Sequence, residues 1–182
     1  MSAFNQFNDR LELDFLRELC LRDGRLRRFA RGDVFLKRGE VCHEIALVRS
    51  GYFKYVTADT AGAECVVGFT FEEEYATYLY SAMNGTPLPV SVVAGRSTEA
   101  LVVPVVPDTA IEGFVRDSMP VLFDELYARF LDSYRYSPAE RYARLCAAHP
   151  EVIQKVPLRE IASYLRVSPT HLSRIRREMV NV

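Results

Sequence analysis

With 182 residues, 49% of them hydrophobic and 26% charged, the chain has material for one medium and one small globular domain. Its apolar runs are short, Leu101-Val102-Val103 being broken at once by Pro104, which excludes a segment of the ~20 apolar residues needed to cross a bilayer. The net charge of -1 hides an asymmetry: from Gln154 onward six cations (Lys155, Arg159, Arg166, Arg174, Arg176, Arg177) face only Glu160 and Glu178, so this segment is +4 and the remainder -5. A basic module on an acidic body points to nucleic acid as that module's partner.

The start, Met1 to Asp9, lacks the basic opening and apolar centre of a signal peptide, so a cytoplasmic protein is expected. Residues 9–29 read as helix, with Leu11, Phe15, Leu16, Leu19 and Leu26 at helical spacing. The period then changes. Short apolar bursts at Asp33–Leu36, Ile45–Val48, Tyr52–Val56, Cys65–Phe69, Val90–Val93 and Ala100–Val103 predict strands of an antiparallel roll or barrel. Gly32, Gly39, Gly51 and Gly62 fall where those strands must reverse. Cys20, Cys42, Cys65 and Cys146 lack Cys-x-x-Cys spacing, and His43, His149 and His171 are isolated. Each thiol reads as a small hydrophobe, and no metal or haem ligand set is visible.

Beyond the roll, Asp108–Arg116 reads as a turn or two of helix, with a longer helix restarting at Ser118-Met119-Pro120. Val115, Met119, Leu122 and Leu126 form one stripe on it, and Phe123, Tyr127, Phe130 and Tyr134 form a second. One stripe suffices to lie on the roll. Two predict either a dimer interface through Met119, Leu122, Phe123, Leu126, Tyr127 and Phe130, or a helix wedged between two domains of one chain. Ser137-Pro138-Ala139-Glu140 has the residues of a capping box and is read as a domain boundary. The divisions are 1–107, 108–136 and 137–182.

The last segment reads as two short helices. Leu158, Ile161, Ala162 and Leu165 make the apolar stripe of the first, and Leu172, Ile175 and Met179 that of the second. Between them, Ser168 can cap the second helix, Pro169 suits its first turn, and Val167 would plug the corner. This is a helix-turn-helix pattern. Ser168, Thr170, His171, Ser173, Arg174 and Arg177 lie off the apolar stripe and combine short hydrogen-bonding groups with cations, the chemistry that suits base edges and phosphates. The alternative is an ordinary surface pair whose arginines are merely solvated. The fold class is therefore α+β: an N-terminal antiparallel β-roll, a long helix and a C-terminal helix-turn-helix domain.

In this order, the elements resemble the Crp/Fnr family of bacterial transcription regulators, whose jelly roll is a cyclic-nucleotide-binding domain. The likeness is carried by Arg31-Gly32-Asp33-Val34-Phe35-Leu36-Lys37-Arg38-Gly39-Glu40, by Ile45 to Tyr55, by Ser137-Pro138-Ala139-Glu140-Arg141-Tyr142 and by the helix-turn-helix. The resemblance implies a homodimer joined along the long helix, with one recognition helix per half-site of double-stranded DNA. RNA polymerase is a further candidate partner. In the roll it implies an effector pocket, here Phe69, Phe71, Glu72, Tyr75, Thr77, Tyr78 and Ser91.

Three departures qualify the expectation. Family members that bind cyclic AMP carry a cassette that opens Phe-Gly-Glu and closes Arg-Ser or Arg-Thr, the arginine holding the phosphate. No arginine lies between Phe69 and Val93, whereas Glu72, Glu73 and Glu74 do, so cyclic AMP is not expected to bind in the usual manner and the effector is unassigned. That glutamate cluster reads as a solvated turn rather than an acid-base site. Second, the family's two-stranded wing would follow Met179, but the sequence ends at Val182. Fewer phosphate contacts and a stronger dependence on salt are expected, unless DNA binding is lost or a partner supplies the grip. Third, Arg166 occupies the corner usually given to glycine. The two functions weighed are a dimeric DNA-binding regulator and a degenerate roll acting as a ligand or protein-interaction module. No P-loop, zinc signature or nucleophile elbow supports an enzyme.

Overall fold

The computed structural model describes residues 4–180; expectations that fall on residues 1–3 and 181–182 lie outside them. After a 3-10 turn over Gln6–Arg10, α1 spans Asp14–Asp23. The helix expected over 9–29 therefore ends early, and Arg25–Phe29 is a strand, β1. It pairs along its whole length with β8 (Thr98–Pro104) at the edge of a sheet. Only Phe29 of β1 enters the core. A strand with four exposed side chains carries no alternation, so its sequence could not be told from a charged helix.

The remaining roll comprises β2 (Val34–Leu36), β3 (Glu44–Ser50), β4 (Phe53–Ala58), β5 (Glu64–Thr70), β6 (Tyr75–Ala76), α2 (Leu79–Asn84) and β7 (Ser91–Ala94). Each strand read from the sequence is present to within about two residues. The brief β6 and α2 lack a periodic signal of their own. Among the described residues the strands form two four-stranded antiparallel sheets, ordered β1-β8-β3-β6 and β2-β7-β4-β5. Phe29, Phe35, Val48, Phe53, Val92 and Ala100 fill the space between them. Gly51 turns β3 into β4 with φ +82, where a Cβ would meet the Ser97 carbonyl oxygen at 2.5 Å, so no other residue fits that corner unstrained.

The long helix, α3, covers Thr109–Arg135 and is capped by Asp108, whose carboxylate accepts from the Ile111 amide at 2.8 Å. The break expected at Ser118-Met119-Pro120 does not occur: α3 passes straight through Pro120. Ile111, Val115 and Ser118 are buried on the preceding turns while Pro120 faces solvent. Packing thus outweighs a loss that in an isolated helix is about 3 kcal/mol.

The capping box forms as read. The Glu140 amide donates to Ser137 Oγ, and Glu140 Oε2 accepts from the Ser137 amide at 2.8 Å. It opens α4 (Pro138–Ala148), followed by α5 (Pro150–Lys155), α6 (Leu158–Tyr164) and α7 (Pro169–Val180). Leu172 and Ile175 of α7 are buried as expected; Met179 is exposed, which corrects the third position of that stripe. These helices do not keep a core to themselves. Ile161, Ala162, Leu165, Leu172 and Ile175 share one cluster with Tyr52, Val56, Val66, Phe69 and Phe71 of the roll.

Candidate nucleic-acid interface and effector cavity

The turn between α6 and α7 is built by Arg166, whose φ of +57 is left-handed, and by Ser168, whose Oγ accepts from the His171 amide at 3.1 Å. Arg166 stands in a conformation that costs a residue with a side chain roughly 1 kcal/mol. Val167 packs against the shared core below the corner, and its amide donates to the Ala162 carbonyl at 2.9 Å. Sequence reasoning gave Arg141 no role. Its guanidinium donates to the carbonyls of Tyr136 (3.0 Å) and Leu165 (2.9 Å), so one cation ties the end of α3 to the turn. A cation is well suited to the unpaired carbonyls at helix C-termini.

Ser168, Thr170, His171, Ser173, Arg174 and Arg177 are all exposed, on the side of α7 opposite Leu172 and Ile175. Arg174 and Arg177 form no ion pair among the described residues. Ser168 Oγ serves as the cap, while the Thr170 and Ser173 hydroxyls, the His171 imidazole and two guanidinium groups without an ion pair among the described residues face solvent.

The face of α6 that turns from α7 is seated on the roll. Ser163 Oγ accepts the Val66 amide at 2.9 Å, which satisfies an edge-strand donor of β5. Glu160 is only 3% exposed. Its carboxylate accepts from the Tyr52 hydroxyl at 3.0 Å and from Lys54 Nζ at 3.4 Å, with Arg31 at 3.8 Å. Burial, with Glu160 beside it, drives the Tyr52 hydroxyl well above its ordinary value of 10 and keeps it a donor. Nothing in the residue pattern of α6 distinguished Glu160 from a solvated carboxylate.

The three consecutive glutamates also have partners. Glu72 accepts from Lys155 and from the Gly51 amide, Glu73 pairs with Arg17 and Arg49 at 2.9 Å, and Glu74 is buried. The solvated turn expected there is corrected. Glu74 takes the backbone and side-chain amides of Asn5 at 2.8 and 2.9 Å and the Phe71 amide at 2.9 Å, although desolvation still raises its pKa.

Of the seven residues assigned to an effector pocket, Phe69, Tyr75, Thr77 and Tyr78 line a cavity of about 610 Å3 between α1, the mouth of the roll and α3. Phe71, Glu72 and Ser91 do not line it. Phe71 lies in the shared core, and Ser91 Oγ accepts the Arg38 amide. The cavity wall adds residues that the sequence did not single out, among them Tyr55, Gly68, Met119, Leu122 and Arg129.

On α3, Val115 is buried in the core and Met119 and Leu122 are half-buried along the cavity, whereas Phe123 is 66% exposed and Tyr134 76%. Tyr127 and Phe130 are exposed as well, and so is Leu126, the last position of the first stripe, which the roll does not cover. No residue of the chain covers that second stripe among the described residues, and its rings stack on one another instead, Phe123 on Tyr127 at 5.8 Å.

No family model matches the sequence, and no curated protein matches it. Solved structures do. FixK2 from Bradyrhizobium japonicum superposes with a TM-score of 0.69 at 14% identity, over 87% of this chain and 85% of that one. A transcriptional regulator of the Crp/Fnr family from Eubacterium rectale gives 0.66 at 16% identity, over 96% and 86%. The c-di-GMP-responsive global regulator CLP from Xanthomonas campestris gives 0.57 at 14% identity, over 93% and 92%. Roll, long helix and helix-turn-helix thus follow one another as in those proteins, and this chain is built on the fold of the Crp/Fnr transcriptional regulators.

Proposed function

We propose that the protein is a dimeric DNA-binding transcription regulator of the Crp/Fnr type, in which α7 enters the major groove and the roll senses an effector other than cyclic AMP. The observation that carries this reading is the free face of α7, where Ser168, Thr170, His171, Ser173, Arg174 and Arg177 all reach solvent while the opposite face is anchored in the core. Side chains on an anchored helix meet base edges in a fixed register, which is what sequence readout requires. The roll and its helix (1–107), the strut (108–136) and the helix-turn-helix segment (137–182) then divide the work of sensing, pairing and reading.

Pairing is assigned to the uncovered stripe of α3, with Phe123, Leu126, Tyr127 and Phe130 meeting their copies across a two-fold axis. The case against cyclic AMP is one of charge. Among the described residues lining the cavity, Arg129 is the one cation, and its Nε already donates to Glu125 at 3.0 Å.

Selection of bound fragments from a random DNA pool tests the reading. The expected result is a two-fold-symmetric site retarded at low salt, with the preference lost in Arg174→Ala. Retardation of every sequence alike, unchanged by that substitution, would refute it. Because Arg174 is exposed and unpaired, the variant should keep its stability within about 0.5 kcal/mol, so loss of recognition is not loss of fold.

A further inference from the structure

The cavity beside α3 has the volume of a small-molecule site. Its wall is mostly apolar, and several of its polar side chains are already engaged within the protein. Thr77 Oγ1 donates to the Glu44 carbonyl at 3.3 Å, Thr70 Oγ1 to the Tyr55 hydroxyl at 3.3 Å, and Asn5 Nδ2 to the Phe69 carbonyl at 2.9 Å. Arg129 is occupied by Glu125. Burial raises the Tyr75 hydroxyl to about 12, so it stays neutral. A charged or hydrogen-bonding guest would leave water and find these groups engaged. An apolar guest loses nothing by entering, and leucine, valine and phenylalanine side chains cover it.

We infer that this cavity binds an uncharged, largely apolar small molecule, and that Phe69 and Arg129 pass its occupancy to the helix-turn-helix. The inference rests on the effector-sensing reading of the roll given above and narrows it to a ligand class and a route. Phe69 lines the cavity and also lies 5.5 Å, ring to ring, from Tyr164 at the end of α6. Arg129 lines it too and sits 5.3 Å over the ring of Phe4, which meets Tyr164 at 5.8 Å. A guest that moves Phe69 or Arg129 therefore changes the bed on which α6 rests. It shifts the seating of α7 by as much as its affinity differs between the two seatings.

The test uses the full chain without DNA, so its failure is separate from failure of DNA recognition. 1-Decanol is the probe and cyclic AMP the charged comparison, both titrated by calorimetry. Decanol should bind and cyclic AMP should give no heat. The three atoms nearest the missing Cβ of Gly68 belong to the Tyr55 side chain, at 3.7 to 4.0 Å, so Gly68→Phe can fill the cavity and should weaken decanol at least tenfold. Val67→Phe, at a half-exposed position on the same wall, makes the second filling variant should the first not fold.

The chain has no tryptophan, so Tyr164→Trp places a single indole at the seam. Decanol should shift its emission. Adding Phe69→Leu to that background should abolish the shift even at the decanol concentration that saturates the cavity by calorimetry. Absence of decanol heat, or heat that both filling variants retain, overturns the ligand class. Decanol binding with no change in indole emission, or a shift that survives Phe69→Leu, overturns the route.

Discussion

Two apolar faces in this molecule have similar sequence signatures and opposite fates. The stripe of α6 and α7, with Ile161, Leu165, Leu172 and Ile175, is closed over by Tyr52, Val56 and Phe69 of the roll. The second stripe of α3, from Phe123 to Tyr134, stands open. Periodicity marks both as apolar and does not say which the same chain will cover. The covered face packs the helix-turn-helix and the roll around one shared cluster, so the two are expected to unfold together. The open face leaves apolar surface uncovered right beside the cavity, whose wall includes Phe123 and Leu126.

The largest effect should come from emptying the covered face. Leu172→Ala, at a site with no exposure, is expected to cost about 4 kcal/mol in urea denaturation. Tyrosine fluorescence and helical circular dichroism should change in one transition, because the core is shared. Separate transitions would mean that the seam is not cooperative.

Breaking the polar part of the seam should cost somewhat less. Lys54→Met removes the cation closest to the buried Glu160 and is expected to lose about 3 kcal/mol, most of it restored when Glu160→Leu is added. The double variant separates an orphaned charge from lost packing, since both of its side chains are apolar.

The open face should respond in the other sense. Phe130→Ser removes a large ring from the stripe of α3, yet the fold of the single chain should change by no more than about 0.5 kcal/mol, because that ring is exposed. Sedimentation at micromolar concentration should instead show the mass fall toward that of one chain. An unchanged mass would place the partner surface elsewhere.

The smallest effect is one of pH, at the rim of the seam. Burial holds His149 below its ordinary 6.5, with Glu151 and Glu125 favouring its charged form and Arg129 opposing it. A base with a depressed pKa in the folded state gains its proton more readily when unfolded. Stability should therefore be full above 6.5 and decline as pH falls through and below that value. Urea midpoints at about pH 7.5 and about pH 5.5 measure the decline, which should flatten in His149→Phe.

Much of this was legible because local chemistry was enough. The Ser137 capping box, the Ser168 cap, the tight corner at Arg166 and the strand bursts each depend on residues a few positions apart, and the structure has all of them. The candidate reading face of α7 was visible for the same reason: a 3.6-residue period assigns sides to a helix without reference to anything else. The cavity beside α3 was only half legible, since it takes in Phe69, Tyr75, Thr77 and Tyr78 but not Phe71, Glu72 or Ser91. Its wall is assembled from α1, β5, the segment around Thr77 and α3, which lie far apart in the chain.

By itself, then, the sequence determined most of the elements, the caps at Ser137 and Ser168, the apolar side of α6 and the basic character of the last helix. Tertiary structure alone decided that Arg25–Phe29 would be an edge strand, that α3 would run through Pro120, and that Glu74 and Glu160 would be buried. It also decided that Phe69 would stand between a cavity and the helix-turn-helix. In each case the outcome depended on a partner distant in sequence: β8 for the strand, the roll for the helix, Asn5 and Tyr52 with Lys54 for the two carboxylates. Periodicity records a preference of one segment, and burial is a property of two.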